Sequence, residues 1–269
     1  MSWLLPILLI LVAVLFSQRY KWWRKAVPDS APRLLMYHMV SEQKPGAKFN
    51  KLRVPPAMFE RQVKWLADHG YYFALMSELA EPQKLPPKTV ALTFDDGFED
   101  NFRNAHPVLQ RYNARATLYL VEDRFERDWS TSKKAHHDSG ELMREAKLSD
   151  DQVRQMLDSG CWELGGHTRT HANLAKLDAA AKLAEIRDSK IALEAQFNTR
   201  LASFAYPFGI YDAQDVALAE QAGFANAVTT VEGIDPDPAA KPFELKRVKI
   251  SGKDNWLAFR LRLRTGRRG

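Results

Sequence analysis

Short apolar runs recur along this chain with helical patterns between most of them, and that alternation leaves few folds open. The runs lie at 33–38, 71–76, 89–94, 116–121, 161–164, 202–206, 226–230 and 247–250. They are rich in apolar and β-branched residues, and several end in clusters of Pro, Gly or Asp, as buried strands do. Helical patterns are clearest at 56–69, 101–112, 149–159, 174–197 and 212–222. Such alternation calls for parallel strands covered by helices, because each parallel pair needs a crossover connection. With 269 residues and 45% hydrophobic content, the chain can bury one large core as a single α/β domain. Segments 79–88 and 233–242 read as proline-rich connections, and 178–190 as a solvated helix face.

Two of the strand ends carry chemistry. The run TVALTF is closed by Asp95-Asp96-Gly97, where Gly97 permits a sharp turn. The run CWEL is closed by Gly165-Gly166 and followed at once by His167-Thr168-Arg169-Thr170-His171. A helix starting at His167 would place His171 on the same face, about 5–6 Å away between Cβ atoms. One carboxylate and two imidazoles can hold a divalent metal with a coordination position left open, and a second carboxylate can take a proton from water. Alone, an Asp-Asp-Gly is most often a solvated turn, and a single His-x-x-x-His is a weak signal. Together, each after a strand, they point to a metal-assisted hydrolase. A third run, ASFAY, ends in Pro207-Phe208-Gly209, which by itself reads as an ordinary turn.

In order and spacing, TFDDG, HTRTH and FAYPFG resemble the motifs of the polysaccharide deacetylase family, also called the nodulation-type or fourth carbohydrate esterase family. The similarity covers roughly 33–251. It implies a distorted (β/α) barrel of about seven strands, a divalent metal, most commonly zinc, and hydrolysis of N-acetyl groups on amino sugars. By motif position it implies Asp95 as the general base and Asp96, His167 and His171 as metal ligands. Tyr206, Arg247 and the backbone N–H near Phe208 are the expected oxyanion or substrate contacts. Two family features are missing. Ala205 stands where an arginine often contacts the catalytic aspartate; Arg247 reads either as its substitute or as a surface charge at a strand start. The late Leu-x-His motif is absent, since no histidine follows His171. The chain is more similar to the poly-N-acetylglucosamine deacetylases, which carry a Tyr-His near the start of the domain, here Tyr37-His38. Catalytic groups in such barrels gather at strand C-termini. His38 is therefore read either as an acid or substrate contact, or as a hydrogen-bonded plug of the barrel mouth. His69, His106, His136 and His137 read as structural or surface residues, and the polar insertion 129–147 as a candidate lid.

Residues 1–17 carry no charged side chain, and 3–16 are almost wholly apolar. The expected organisation is a membrane anchor at 1–18, a basic juxtamembrane linker at 19–32 and the barrel at 33–269. The anchor is at the lower length limit for spanning, and Trp22 and Trp23 beside Arg24 and Lys25 fit an interfacial belt. A cleaved signal peptide lacks its basic n-region and cleavage site here. Cations after the apolar run favour a cytoplasm-facing domain at a bacterial inner membrane, with the periplasmic side as the alternative. The net charge is +6, concentrated at Arg19, Lys21, Arg24 and Lys25 and at Arg260, Arg262, Arg264, Arg267 and Arg268. Without a nucleic-acid motif, this fits contact with anionic lipid or a phosphorylated glycolipid, or a generally basic surface. The single cysteine, Cys161, excludes an internal disulfide and reads as a packing residue. The expected function is metal-dependent N-deacetylation of an N-acetylhexosamine in a bacterial glycan or lipid-linked saccharide, in lipopolysaccharide or exopolysaccharide metabolism. The alternatives are deformylation of a lipid-linked aminosugar, or glycan binding without catalysis on the same barrel.

Overall fold

The computed structural model describes residues 4–267. Its strands are β1 (Arg33–Tyr37), β2 (Tyr72–Phe73), β3 (Thr89–Asp95), β4 (Ala116–Leu120), β5 (Trp162–Gly166), β6 (Ser203–Ala205), β7 (Asn226–Glu232) and β8 (Leu245–Lys249). All pairings between them are parallel, in the order β1-β8-β7-β6-β5-β4-β3, and β1 pairs with β3 to close a seven-stranded barrel. The short β2 pairs only with Thr89 and Val90 of β3, and β4 takes over from Leu92. β2 therefore flanks the barrel instead of forming an eighth stave.

Strand alternation sorts the core into two layers. Leu34, Ala91, Tyr119, Ala205, Val228 and Leu245 meet inside the barrel. Leu35, Leu92, Phe94, Leu118, Leu164 and Val248 pack outward against the helices. The same period puts Thr93 and Asp95 on the inner face of β3, and Arg247 and Lys249 on the inner face of β8.

The helices are α1 (Leu4–Tyr20), α2 (Pro56–Asp68), α3 (His106–Arg111), α4 (Ser130–Lys133), α5 (Glu141–Arg144), α6 (Asp150–Asp158), α7 (Ala179–Leu183), α8 (Ser189–Phe197), α9 (Ala213–Gln221) and α10 (Trp256–Thr265). Ser149 and Asp212 start α6 and α9 with side-chain caps. The expected helix at 174–197 is instead a 3₁₀ turn at Leu174–Lys176, followed by α7 and α8 joined through a π-helical segment, with Asp178 capping α7.

The C-terminal helix α10 went unforeseen, and it changes the reading of the basic C-terminus. Arg262 is buried and paired with Asp254 and Glu232. The Arg260 guanidinium lies 4.2 Å from the Trp65 ring centre, and Arg264 donates to the Trp22 carbonyl. Buried Arg262 is thus an ion-pair residue of the fold, whereas Arg260 and Arg264 stay exposed; Arg268 lies outside the described residues.

Helix α1 is apolar in sequence on every side, and its large apolar side chains from Leu5 to Phe16 stay exposed. Among the described residues, no helix is long and apolar enough to cross a membrane. Seventeen residues at about 1.5 Å each fall short of a hydrocarbon core of about 30 Å. The single-pass form of the expected anchor is therefore not supported by this helix.

Candidate active site and metal centre

The expected site residues converge at the C-terminal mouth of the barrel. Asp95 ends β3, and Asp96 follows in a left-handed conformation, φ 79°. His167 follows β5 directly. The expected helix from His167 to His171 does not form. The segment is a loop in which Thr168 (φ 64°) and His171 (φ 56°) are left-handed. The two imidazoles meet because of these turns, with ring centres 4.7 Å apart. Phe208 is also left-handed, φ 59°. Unfavourable backbone at four residues of one mouth is held by the surrounding packing, a frequent property of functional sites.

Asp96, His167 and His171 form a buried group whose ligand atoms all lie within 4.8 Å of one another. The Asp96 Oδ1 atom is 3.3 Å from the Nε2 atoms of both His167 and His171. His167 Nδ1 is 2.7 Å from the Ala205 carbonyl, which can only accept, so the ring proton is on Nδ1 and Nε2 is left as a lone pair. That lone pair and a carboxylate oxygen then face each other as two acceptors, an arrangement that a cation between them stabilises. Burial lowers His171, which keeps its ring neutral at neutral pH, the form that binds metals. The donor set thus fits a divalent metal.

Asp95 is gripped from inside the barrel. Arg247 Nη1 and Nη2 donate to Asp95 Oδ1 and Oδ2 at 2.7 and 2.8 Å. The guanidinium is itself fixed by the Thr229 carbonyl and the Thr93 hydroxyl. Arg247 is completely buried, which removes the surface-charge reading. Burial would raise the Asp95 carboxyl, yet the charge and hydrogen bonds of Arg247 outweigh it and leave the group below its ordinary value. Arg247 is therefore an Asp95 contact, and it does not line the cavity as a substrate contact would.

His38 Nε2 lies 3.9 Å from Asp95 Oδ2 and the side chain remains partly open to the cavity. Tyr206 departs from expectation: its ring stacks on Tyr211 and packs edge-on to Phe204 in the outer core, away from the cavity. Phe208 does line the cavity, with its ring edge-on to His171 at 4.5 Å.

The cavity measures about 590 Å³. One wall comes from the 129–147 insertion, through Trp129, Lys133, His137 and Leu142. Trp129 lies 5.0 Å from the His171 ring, and Lys147 lies over the Trp129 and Phe98 rings. Completely buried Arg53 ties the insertion to the loop after β1 through Glu141 and Glu145, at 3.3 and 2.8 Å. His137, expected as a surface residue, thus faces the cavity. His106 accepts from Trp162 Nε1, and His69 caps α2 against Trp65, both structural. Trp129, Lys133 and Lys249 line the cavity without having been singled out in the sequence. Trp129 and Lys133 were signalled only through the candidate lid 129–147 that contains them, and Lys249 through its inward phase on β8.

The polysaccharide deacetylase family model matches residues 82–227. The chain belongs to the polysaccharide deacetylase family. It is 31% identical over 237 residues to a Bacillus subtilis protein named "Putative polysaccharide deacetylase YxkH", covering 86% of this chain and 75% of that one. It is 25% identical over 209 residues to the poly-beta-1,6-N-acetyl-D-glucosamine N-deacetylase of Staphylococcus aureus strain MRSA252, covering 74% and 68%. Among solved structures, it superposes on the Streptococcus pyogenes deacetylase PplD, solved in complex with acetate, with a TM-score of 0.69 and 28% identity over 83% of this chain and 93% of that one. As a polysaccharide deacetylase, the chain places its TFDDG and HTRTH segments around one buried donor group at the barrel mouth.

Proposed function

We propose that this chain hydrolyses the N-acetyl group of an N-acetylhexosamine in a bacterial glycan or lipid-linked saccharide, with zinc held by Asp96, His167 and His171. The observation that carries the reading is the Arg247-gripped Asp95 carboxylate beside a converging Asp-His-His donor set. When bound, such a metal acidifies water and polarises an amide carbonyl. Asp95 takes the proton of the attacking water, since Arg247 keeps it ionised. The backbone N–H near Phe208 donates to the developing oxyanion. His38, open to the cavity near Asp95, delivers a proton to the departing amine. Acetate and free amine measured together after addition of zinc test the reading; formate in place of acetate would redirect it to deformylation. A protein that binds the glycan and releases neither would be a non-catalytic relative.

The proposal includes lipid contact through α1. Its support is the exposure of apolar side chains on all sides of this helix, with Trp22 and Trp23 exposed beyond it. The charge bias after the helix supports a domain facing the cytoplasmic side of the inner membrane. There a lipid-linked intermediate is the favoured substrate; on the periplasmic side it would be an exported polymer.

A further inference from the structure

The cavity is lined by four lysines, Lys51, Lys133, Lys134 and Lys249, and by only two acids, Asp95 and Asp96. Both acids are already engaged, Asp95 by Arg247 and Asp96 by the two imidazoles. None of the four lysines has a carboxylate within ion-pair distance among the described residues. Elsewhere among the described residues, seven lysines are ion-paired, and Lys21, Lys25, Lys48, Lys88, Lys147, Lys176 and Lys253 are not; what sets the four apart is that they line one cavity together. The lysines also come from separate elements: the loop after β1, α4 with the residue after it, and the end of β8. Their convergence is therefore a property of the cavity and not of one charged stretch of chain.

Lys249 is the innermost by strand position, two residues beyond Arg247. Burial and the nearby cations Lys133, Arg247 and Arg262 hold its ammonium below the ordinary value, opposed by Glu232. Lys133 lies 5.9 Å from the Phe208 ring centre, and Phe208 in turn touches His171. Excess positive charge thus extends from exposed Lys51, Lys133 and Lys134 at the rim to half-buried Lys249 near the donor group, and a cleft lined by one sign of charge raises the local concentration of anions.

We propose that the glycan taken by this cavity is anionic, with a carboxylate or phosphate on or beside the N-acetylated sugar held by Lys133, Lys134, Lys51 and Lys249. This deepens the deacetylase reading and rests on it. It is distinct from lipid contact through α1, because the charge lies in the cavity.

The test uses the full chain with zinc and three oligosaccharides of matched length. One is neutral oligo-N-acetylglucosamine. One alternates N-acetylglucosamine with glucuronate. One joins N-acetylglucosamine units through phosphodiesters. A kcat/KM at least about tenfold higher for either anionic oligosaccharide supports the proposal, and the better of the two identifies the anion. That preference should shrink steeply in about 1 M NaCl, where the screening length falls to about 3 Å. Lys133→Gln with Lys249→Gln should reduce the anionic-to-neutral ratio several-fold, and arginine at both positions should restore it. Equal or better turnover of the neutral oligosaccharide would overturn the proposal.

Binding to Asp95→Asn, measured by calorimetry, reads charge preference without turnover. Anionic binding without acetate release from wild type would defeat the deacetylase reading alone. Equal binding of all three oligosaccharides would defeat the charge proposal alone.

Discussion

At the scale of the residue, the reading turns on two carboxylates one position apart with different partners. Asp95 is held by a guanidinium, and Asp96 faces two imidazoles. Asp95→Asn should lower kcat by about 10²–10⁴-fold, the range of general acid–base contributions, while zinc content stays near one per chain. His167→Ala should lose both zinc and acetate release. Elemental analysis beside an acetate assay separates the two variants, and full activity in either would remove the assigned role. Arg247→Met leaves Asp95 buried without its cation, so its carboxyl must rise. The acid limb of the kcat/KM profile should then move to higher pH. The stability effect has a definite sign. The Asp95 carboxyl is depressed on folding, so its contribution is present above the unfolded value of about 3.9 and is lost as pH falls through the lower folded value. Urea denaturation of wild type should show this loss at acid pH, and Arg247→Met should lack it.

At the scale of the element, the site depends on loops held in unfavourable backbone and on one stapled insertion. Gly209 has φ +66°, and a Cβ there would clash with the Thr230 side chain. Gly209→Ala should destabilise by about 1–3 kcal/mol through overpacking, with further cost from the left-handed backbone, and should disturb Phe208. A fall in melting temperature with a larger fall in kcat/KM checks this. Arg53 links the 129–147 wall to the loop after β1 and is completely buried. Arg53→Met leaves Glu141 and Glu145 without it; removing one partner of a buried pair costs about 3–5 kcal/mol. Hydrogen exchange should rise in 129–147 and 39–54 before it rises in β3 or β5. Uniform exchange across all these segments would show that the staple is not local.

At the scale of the whole molecule, a closed barrel carries an exposed apolar helix. Wild type should float with lipid vesicles, and a chain lacking residues 1–25 should remain at the bottom of the gradient with its acetate release intact. Matched cytoplasm-active and periplasm-active reporters fused after Gly269 should report the cytoplasmic side. A periplasmic signal would move the substrate search to exported glycans.

Much of this protein is local in origin, and local information is what a sequence displays. Strand–helix alternation specified parallel α/β, because apolar runs and amphipathic periods follow directly from side-chain order. TFDDG and HTRTH pointed to the donor group through their residue types and positions after strands. Tertiary structure decided what depends on distant pairings. β8 comes to lie beside β1 and β7, which places Arg247 152 positions along the chain from Asp95 and within hydrogen-bond reach of it. Backbone turns, not helical spacing, brought His171 to His167, because packing around the mouth sustains left-handed residues that local preference disfavours. Tyr206 was drawn into the outer core and Lys249 into the cavity by strand phase within the closed barrel. Ring closure and cavity walls arise only when remote segments meet, so those contacts, and the charge they gather, belong to the folded molecule.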